Sequence, residues 1–180
     1  MKKNSFHFLT LIVFLISFNL KAESFYNNKY IDTTKKEVDF SSLKGRVVMV
    51  VNIATRCGYT GQLDDIEKLY KKYEVKNFVV IGFPSSDFGQ QTPEDNKEVG
   101  NICRLKYGAT FPIIEKQNII GNKKTAVYKW LNSQKGYEHE VQWNFEKFII
   151  GKDGKIAGRF LSQVEPLDKG ITDLIEKNLN

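Results

Sequence analysis

The stretch Val-Val-Met-Val-Val-Asn-Ile-Ala-Thr-Arg-Cys-Gly-Tyr-Thr, residues 47–60, decides much of the fold. Its first seven residues form an almost unbroken apolar and largely β-branched run, which is typical of a strand buried on both faces in a parallel sheet. Apolar residues then recur at helical spacing from Leu63 to Tyr73, and a second buried strand is predicted over residues 78–83. This order of strand, helix and strand predicts a right-handed βαβ unit.

The remaining pattern completes one domain. Three further helices are expected where apolar residues recur at helical spacing, over about residues 94–107, 123–133 and 166–178. Residues 146–151 and 155–160 flank Asp153-Gly154, a pair that favours a tight turn, so they predict a β-hairpin. The sequence therefore predicts a single α/β domain over residues 23–180, with a central mixed sheet and helices on both faces.

Residues 1–22 have the pattern of a secretory signal peptide. Lys2 and Lys3 precede an apolar run, and Leu20-Lys21-Ala22 supplies a small-residue cleavage site. The alternative is an uncleaved anchor, but the run is short against the ~20 residues that span a bilayer. We therefore expect a mature domain that crosses the inner membrane into the periplasm and keeps no stable membrane anchor.

Charge and ligand content argue against two classes of function. Residues 1–22 hold three lysines and no acid, so the net charge of +6 falls to +3 for the mature domain. Basic residues alternate with acids, which is the pattern of a solvated helix face and does not favour a nucleic-acid partner. The mature domain keeps one histidine, His139, and its two cysteines lack zinc-type spacing, so we expect no metal site.

Cys57 is placed where the first predicted strand ends and a helix begins, with Thr60 as a suitable helix N-cap. Backbone N–H groups at such a position, together with the neighbouring Arg56, favour a thiolate. Because position 60 is not a cysteine, a Cys-x-x-Cys exchange pair is excluded. Cys103, the second cysteine, is predicted on a helix, and two cysteines in an exported chain also suit a structural disulfide. The residues alone leave both interpretations of Cys57 open.

Residues 51–60 resemble the peroxidatic-cysteine motif of the glutathione peroxidase family in its cysteine version. Other segments resemble this family in the same order along the chain: Gly82-Phe83-Pro84, Phe88-Gly89, Gln91, Thr110-Phe111-Pro112, Tyr128-Lys129-Trp130-Leu131 and Trp143-Asn144-Phe145. The resemblance implies a thioredoxin-like fold. It also implies a thiol peroxidase that reduces hydrogen peroxide and organic or lipid hydroperoxides without a metal or organic cofactor.

The same resemblance implies roles for four side chains. Cys57 would supply the attacking thiolate, and Trp143 and Asn144 would donate hydrogen bonds that hold it. Cys103 follows 46 positions after Cys57, where the family members that use thioredoxin carry a resolving cysteine. It would condense with oxidised Cys57 to form a disulfide. Gly100 lies inside the helix predicted for Cys103 and weakens it by about 1 kcal/mol relative to Ala, which would ease the movement that a disulfide requires.

Asp87 is the main departure from the family pattern. The family commonly has a catalytic Gln at this position, and an ionised carboxylate near Cys57 would oppose the thiolate unless it is neutralised or turned away. Gln91 matches a separate family Gln, and Gln90 has no clear counterpart, so either could partly substitute. We therefore expect Asp87 at the site, with an effect on catalysis that the sequence leaves open.

The resemblance also bears on partners and assembly. A thioredoxin-like protein or glutathione would reduce the disulfide. The connection between Leu131 and Trp143 lacks the insertion that tetrameric family members use for assembly, which implies a monomer with an open site. One alternative belongs to another class of function: a peroxide sensor or thiol–disulfide relay in which Cys57 is oxidised without multiple turnovers.

Overall fold

The computed structural model describes residues 24–180, so the predicted signal peptide lies outside the described residues. The strands, in chain order, are β1 (Lys29–Ile31), β2 (Glu37–Asp39), β3 (Val47–Ile53), β4 (Phe78–Pro84), β5 (Lys147–Ile150) and β6 (Ile156–Phe160). The α-helices are α1 (Gln62–Tyr73), α2 (Asn96–Asn101), α3 (Ala126–Ser133) and α4 (Lys169–Leu179). Strands β1 and β2 form a small separate hairpin, and the other four strands form the central sheet.

The central sheet has the strand order β4-β3-β5-β6. Strand β3 runs parallel to β4, as the βαβ prediction requires, and antiparallel to β5, which is antiparallel to β6. Every residue of β3 and β4 is buried, which confirms the interpretation of these apolar runs. Because side chains alternate along a strand, Met49 and Val51 face one core and Val48 and Val50 face the other.

Helices cover both faces of this sheet. Helices α1, α2 and α4 pack on the face that Met49 and Val51 occupy, whereas α3 packs on the opposite face with the N-terminal segment. The predicted hairpin is formed by β5 and β6, and its turn uses Gly154 at a φ of +78°. This arrangement is the predicted thioredoxin-like α/β fold. In residues 24–180, no helix combines the length and the apolar character needed to cross a membrane.

Three helix boundaries differ from the sequence predictions. Helix α1 is capped by Gly61 and not by Thr60, because the Thr60 hydroxyl is used in the turn before the helix. Helices α3 and α4 each begin three residues later than predicted, at Ala126 and Lys169. The apolar pattern locates these helices well but does not fix their first turn.

The helix predicted over residues 94–107 changes type in its middle. Asp95 caps α2 by accepting a hydrogen bond from the N–H of Glu98, and after Asn101 the chain continues as a π-helix over Ile102–Lys106. A π-helix is rare and occurs mostly as a single turn inserted in an α-helix, often at a functional site. The segment that carries Cys103 therefore has the predicted position but a wider and less regular geometry.

Candidate active site

Cys57 lies in the turn between β3 and α1. Its N–H donates to the hydroxyl of Thr60 (2.9 Å), and this hydroxyl also lies 3.0 Å from the carbonyl oxygen of Ala54, to which it can donate. The Cys57 sulfur accepts a hydrogen bond from the N–H of Tyr59 at 3.5 Å, and the side chain is half-buried. The turn thus holds the sulfur at a partly exposed place with a backbone donor directed at it, which suits a thiolate.

Gln91 and Glu94 hold the residues just before Cys57. The carbonyl oxygen of Gln91 accepts a hydrogen bond from the N–H of Arg56 (2.9 Å). Glu94 accepts hydrogen bonds from the hydroxyl of Thr55 and from Nε of Arg56, the latter at 2.7 Å. Burial raises the pKa of Glu94, but the hydrogen bonds from Thr55 and Arg56 outweigh it and leave the pKa lowered. Arg56, which the sequence placed as a positive charge beside Cys57, is therefore paired with Glu94.

Trp143 and Asn144 form a tight bend beside the same end of β3. The amide of Asn144 is buried and donates to the side-chain oxygen of Gln91 (3.0 Å), so Gln91 connects this bend to the Cys57 turn. Trp143 is 40% exposed, and its ring centroid lies 5.9 Å from that of Phe88. The Trp143-Asn144 bend therefore lies at the carboxyl end of β3, the strand that the Cys57 turn follows.

Asp87 has a different set of contacts. Its carboxylate accepts hydrogen bonds from the N–H groups of Ile119 and Ile120, the second at 3.2 Å, and its own N–H donates to the hydroxyl of Ser85. These contacts direct the carboxylate to the backbone of the 119–120 segment. The glutamine that contacts Asn144 is Gln91, two residues after the Phe88-Gly89 pair.

Cys103 is buried in the core on which Cys57 packs. Burial raises the pKa of its thiol to about 12, and the nearby Arg104 offsets only part of this effect. Both cysteines are free thiols in this structure, so it represents the reduced form. A buried thiol with so high a pKa is uncharged at neutral pH, and it reacts as a thiolate only after it leaves the core.

Several residues that matter to this geometry were not singled out from the sequence: Asn52, Glu94, Glu146 and Arg159. Asn52 and Glu146 carried a signal, because each is a polar residue next to an apolar run that is typical of a buried strand.

Near Cys57, the surface is a shallow pocket lined by residues of the turn and by Gln62, Asp65 and Glu165. Within residues 24–180, no group of three or more His, Cys, Asp or Glu side chains could hold a metal ion.

Comparisons with known proteins find similar sequences over most of the chain. The family model described as glutathione peroxidase matches residues 25–132. A protein of Saccharomyces cerevisiae, glutathione peroxidase-like peroxiredoxin 2, is 42% identical over 160 residues, which are 86% of this chain and 98% of the relative.

Solved structures agree with the fold. The crystal structure of Trgpx in apo form superposes with a TM-score of 0.69 at 38% identity and covers 88% of this chain and 97% of that one. A thioredoxin-family thiol:disulfide interchange protein of Chlorobium tepidum gives a TM-score of 0.64 at 18% identity, over 85% of this chain and 93% of that one. The second likeness concerns the fold alone, and it confirms the thioredoxin-like prediction.

Proposed function

Because the chain belongs to the glutathione peroxidase family, it is a thiol peroxidase that reduces hydroperoxides, and we propose that Cys57 supplies its attacking thiolate. The observation that carries this proposal is the position of Cys57. Its sulfur is half-buried in a turn at the end of β3, and Gln91 connects this turn to the Trp143-Asn144 bend. In this proposal Trp143 and Asn144 supply donors during the reaction, and Asp87, whose carboxylate is bonded to the backbone of Ile119 and Ile120, takes no direct part.

In the first step the Cys57 thiolate attacks the terminal oxygen of the hydroperoxide. A sulfur–oxygen bond forms as the oxygen–oxygen bond breaks, so the sulfur loses two electrons and becomes a sulfenic acid. The leaving alkoxide takes up a proton and departs as an alcohol, or as water when the substrate is hydrogen peroxide. Donors that are already in place where this negative charge develops lower the barrier.

In the second step Cys103 resolves the oxidised form. Its sulfur attacks the Cys57 sulfenic acid, a disulfide bond forms, and the hydroxyl group leaves as water with the thiol proton. Cys103 has to leave the core for this step, since burial keeps its thiol uncharged, with a pKa of about 12. The disulfide then holds the two Cα atoms about 4.4 to 6.8 Å apart. The π-helical segment Ile102–Lys106 supports the proposal because such turns are rare and often occur at functional sites.

A thiol reductant, either one dithiol or two molecules of a monothiol, closes the cycle by supplying two electrons and two protons to the disulfide. We propose a thioredoxin-like protein for this role, with glutathione as the alternative. We propose that the protein acts as a monomer, because the connection between Leu131 and Trp143 is short. We also propose that it acts in the periplasm after removal of residues 1–22, because of the lysines and the apolar run of that segment. Cell fractionation and mass spectrometry of the mature N-terminus test the export.

The decisive experiment measures how fast the reduced protein consumes hydrogen peroxide and a lipid hydroperoxide, for the wild type and the Cys103→Ser variant, followed by mass spectrometry. We expect rapid oxidation that ends in a Cys57–Cys103 disulfide in the wild type. In Cys103→Ser, oxidation is equally rapid and ends in sulfenic or sulfinic acid at Cys57. Oxidation no faster than that of an ordinary free thiol would refute the proposal. A single oxidation without turnover in the presence of reductant would favour a sensor or relay.

A further inference from the structure

A network of buried polar side chains lies beneath the Trp143-Asn144 bend. It consists of Asn52 on β3, Glu146 just before β5, and Arg159 on β6. Asn52 and Glu146 are fully buried, and only 12% of the Arg159 side chain is exposed. A buried carboxylate is stable only if it is paired and hydrogen-bonded, so the contacts of Glu146 indicate what it is for.

Both carboxylate oxygens of Glu146 are in use. Oε1 accepts hydrogen bonds from the N–H groups of Gln142 and Trp143, the second at 3.3 Å. Oε2 accepts two from Arg159, at 2.9 Å from Nε and 2.7 Å from Nη2. The carboxylate therefore joins the backbone of Trp143 to a charged side chain on the neighbouring strand.

Arg159 extends this connection to the segment before Trp143. Its guanidinium donates to the carbonyl oxygens of His139 and Glu140, both at 2.8 Å. It also lies 4.9 Å from the centroid of the Phe148 ring, which fixes its plane. Residues 139–143 are thus held to the sheet by charge-assisted hydrogen bonds, which are about twice as strong as neutral ones.

Asn52 fixes the other side of the bend. Its amide donates to the carbonyl oxygen of Trp143 (2.9 Å), and its side-chain oxygen accepts from the N–H of Glu146 (3.0 Å). Between these contacts Phe145 adopts a left-handed backbone with a φ of +67°, which an aromatic residue rarely does. Such a conformation is unfavourable and persists only where its surroundings impose it.

We propose that Glu146 is a positioning residue for peroxide reduction. Together with Arg159 and Asn52, Glu146 fixes the Trp143-Asn144 bend. The side-chain donors of the bend then face the peroxide oxygen that departs when Cys57 attacks. The inference rests on the proposed function of Cys57. Donors accelerate a reaction only if they are already in place when charge develops, and a displacement of about 1 Å is enough to reduce their effect.

The test compares Glu146→Gln with the wild type, both in a Cys103→Ser background so that the reaction stops at Cys57. Two rate constants are measured at one pH: oxidation by hydrogen peroxide and alkylation by iodoacetamide. Alkylation needs the thiolate but expels iodide, so it does not need donors at a leaving oxygen. We expect the peroxide rate constant to fall about 10- to 100-fold, within the range for a displaced donor, while alkylation stays close to wild type.

A second readout follows Trp143 itself. In a Trp130→Phe background its fluorescence reports on one indole, and we expect acrylamide to quench it more strongly in Glu146→Gln. The matched control is Glu37→Gln, which removes an exposed ion pair with Lys29 far along the chain and should leave all three readouts unchanged. A peroxide rate constant equal to wild type would overturn the inference. So would parallel losses of oxidation and alkylation, because they would mean that Glu146 acts on the thiolate or on stability.

Two further comparisons keep the test decisive. If Glu146→Gln does not fold, Arg159→Lys replaces it: this variant keeps the positive charge but loses the hydrogen bonds to His139 and Glu140, and a smaller selective loss is expected. The same criteria then apply. A wild type that itself reacts no faster than a free thiol refutes the proposed function as well, whereas a fast wild type with an unaffected variant refutes only the inference about Glu146.

Discussion

The surroundings of the two cysteines are built in opposite ways. Beside the Cys57 turn, side chains on β3, on β6 and just before β5 hold the Trp143-Asn144 bend, and even a strained residue such as Phe145 is kept in place. Around Cys103, the chain is a π-helix, and its next-but-one residue Leu105 is 84% exposed. The first arrangement suits chemistry that needs fixed donors, and the second suits a residue that must move.

The contrast has defined limits along the chain. Before Cys103, Asp95 caps α2, and Glu94 binds Thr55 and Arg56 beside the Cys57 turn. After Cys103, Glu67 on α1 accepts two hydrogen bonds from Thr110, at 2.8 Å from its N–H and 2.7 Å from its hydroxyl. Movement of Cys103 is therefore expected to stay within residues 96–109. Their two ends are attached to the elements that flank Cys57.

The largest effect on the rate of Cys57 oxidation is expected from Trp143→Phe. Phenylalanine keeps a ring against Phe88 but has no indole N–H, so one donor at the leaving oxygen is lost. We expect oxidation of Cys57 by hydrogen peroxide to slow by about 100-fold, near the lower end of the range for loss of such a donor. Stopped-flow oxidation with an unchanged melting temperature supports this role. A rate within twofold of wild type would mean that Trp143 is only packing.

The raised pKa of Cys103 is expected to make the free energy of unfolding depend on pH. The pKa of Cys103 is raised from 9.0 to about 12 in the folded protein, so above pH 9 the unfolded chain gives up a proton that the folded chain keeps. The contribution of the buried, neutral Cys103 thiol to stability is therefore fully present below pH 9. It is lost as the pH rises toward 12, by up to roughly 1.4 kcal/mol per pH unit.

Chemical denaturation between pH 8 and about 10.5 measures this loss, with Cys103→Ala as the comparison. The difference between the two proteins isolates Cys103, because all other titrating groups are shared. We expect the free energy of unfolding of the wild type to fall relative to the variant as the pH rises. Parallel curves would show that Cys103 is not buried as a neutral thiol in the reduced protein.

Gly100→Ala tests which contacts hold residues 96–109, the segment that carries Cys103. An added Cβ would lie 2.9 Å from Cβ of Thr33 and 2.5 Å from a guanidinium nitrogen of Arg104. Thr33 yields little, because its N–H is bonded to the carbonyl oxygen of Ile113. We therefore expect α2 to be loosened and the disulfide to form several-fold faster after Cys57 is oxidised, which rapid-quench alkylation and mass spectrometry measure.

Helix propensity alone predicts the opposite result, since Ala stabilises an isolated helix by about 1 kcal/mol relative to Gly. Lys97→Ala, at an exposed position of α2, is the matched control and should change the rate little. Slower disulfide formation in Gly100→Ala would show that intrinsic propensity outweighs the contact with Thr33, and that the close approach is not what holds the segment.

The sequence predicted what depends on local pattern. The apolar runs of β3 and β4 located the buried strands, and the motif around Cys57 located the turn that carries its sulfur. It did not predict what depends on contacts between distant residues. The π-helical geometry at Cys103 and the pairing of Glu146 with Arg159 arise only when separate elements pack together, and no local propensity encodes them.

The smallest effect is expected from Asp87→Asn. This substitution tests whether the charge of Asp87 affects the oxidation of Cys57. The carboxylate is bonded to the backbone of Ile119 and Ile120, so an asparagine, which keeps an acceptor oxygen, should leave the rate of Cys57 oxidation within about twofold. Loss of the charge should lower the free energy of unfolding by about 0.5–1.5 kcal/mol. Thermal and chemical denaturation, together with the peroxide rate constant, measure both quantities. A marked acceleration of Cys57 oxidation would mean that the negative charge of Asp87 acts on the thiolate. The site would then contain a residue that slows the reaction of Cys57 with peroxide.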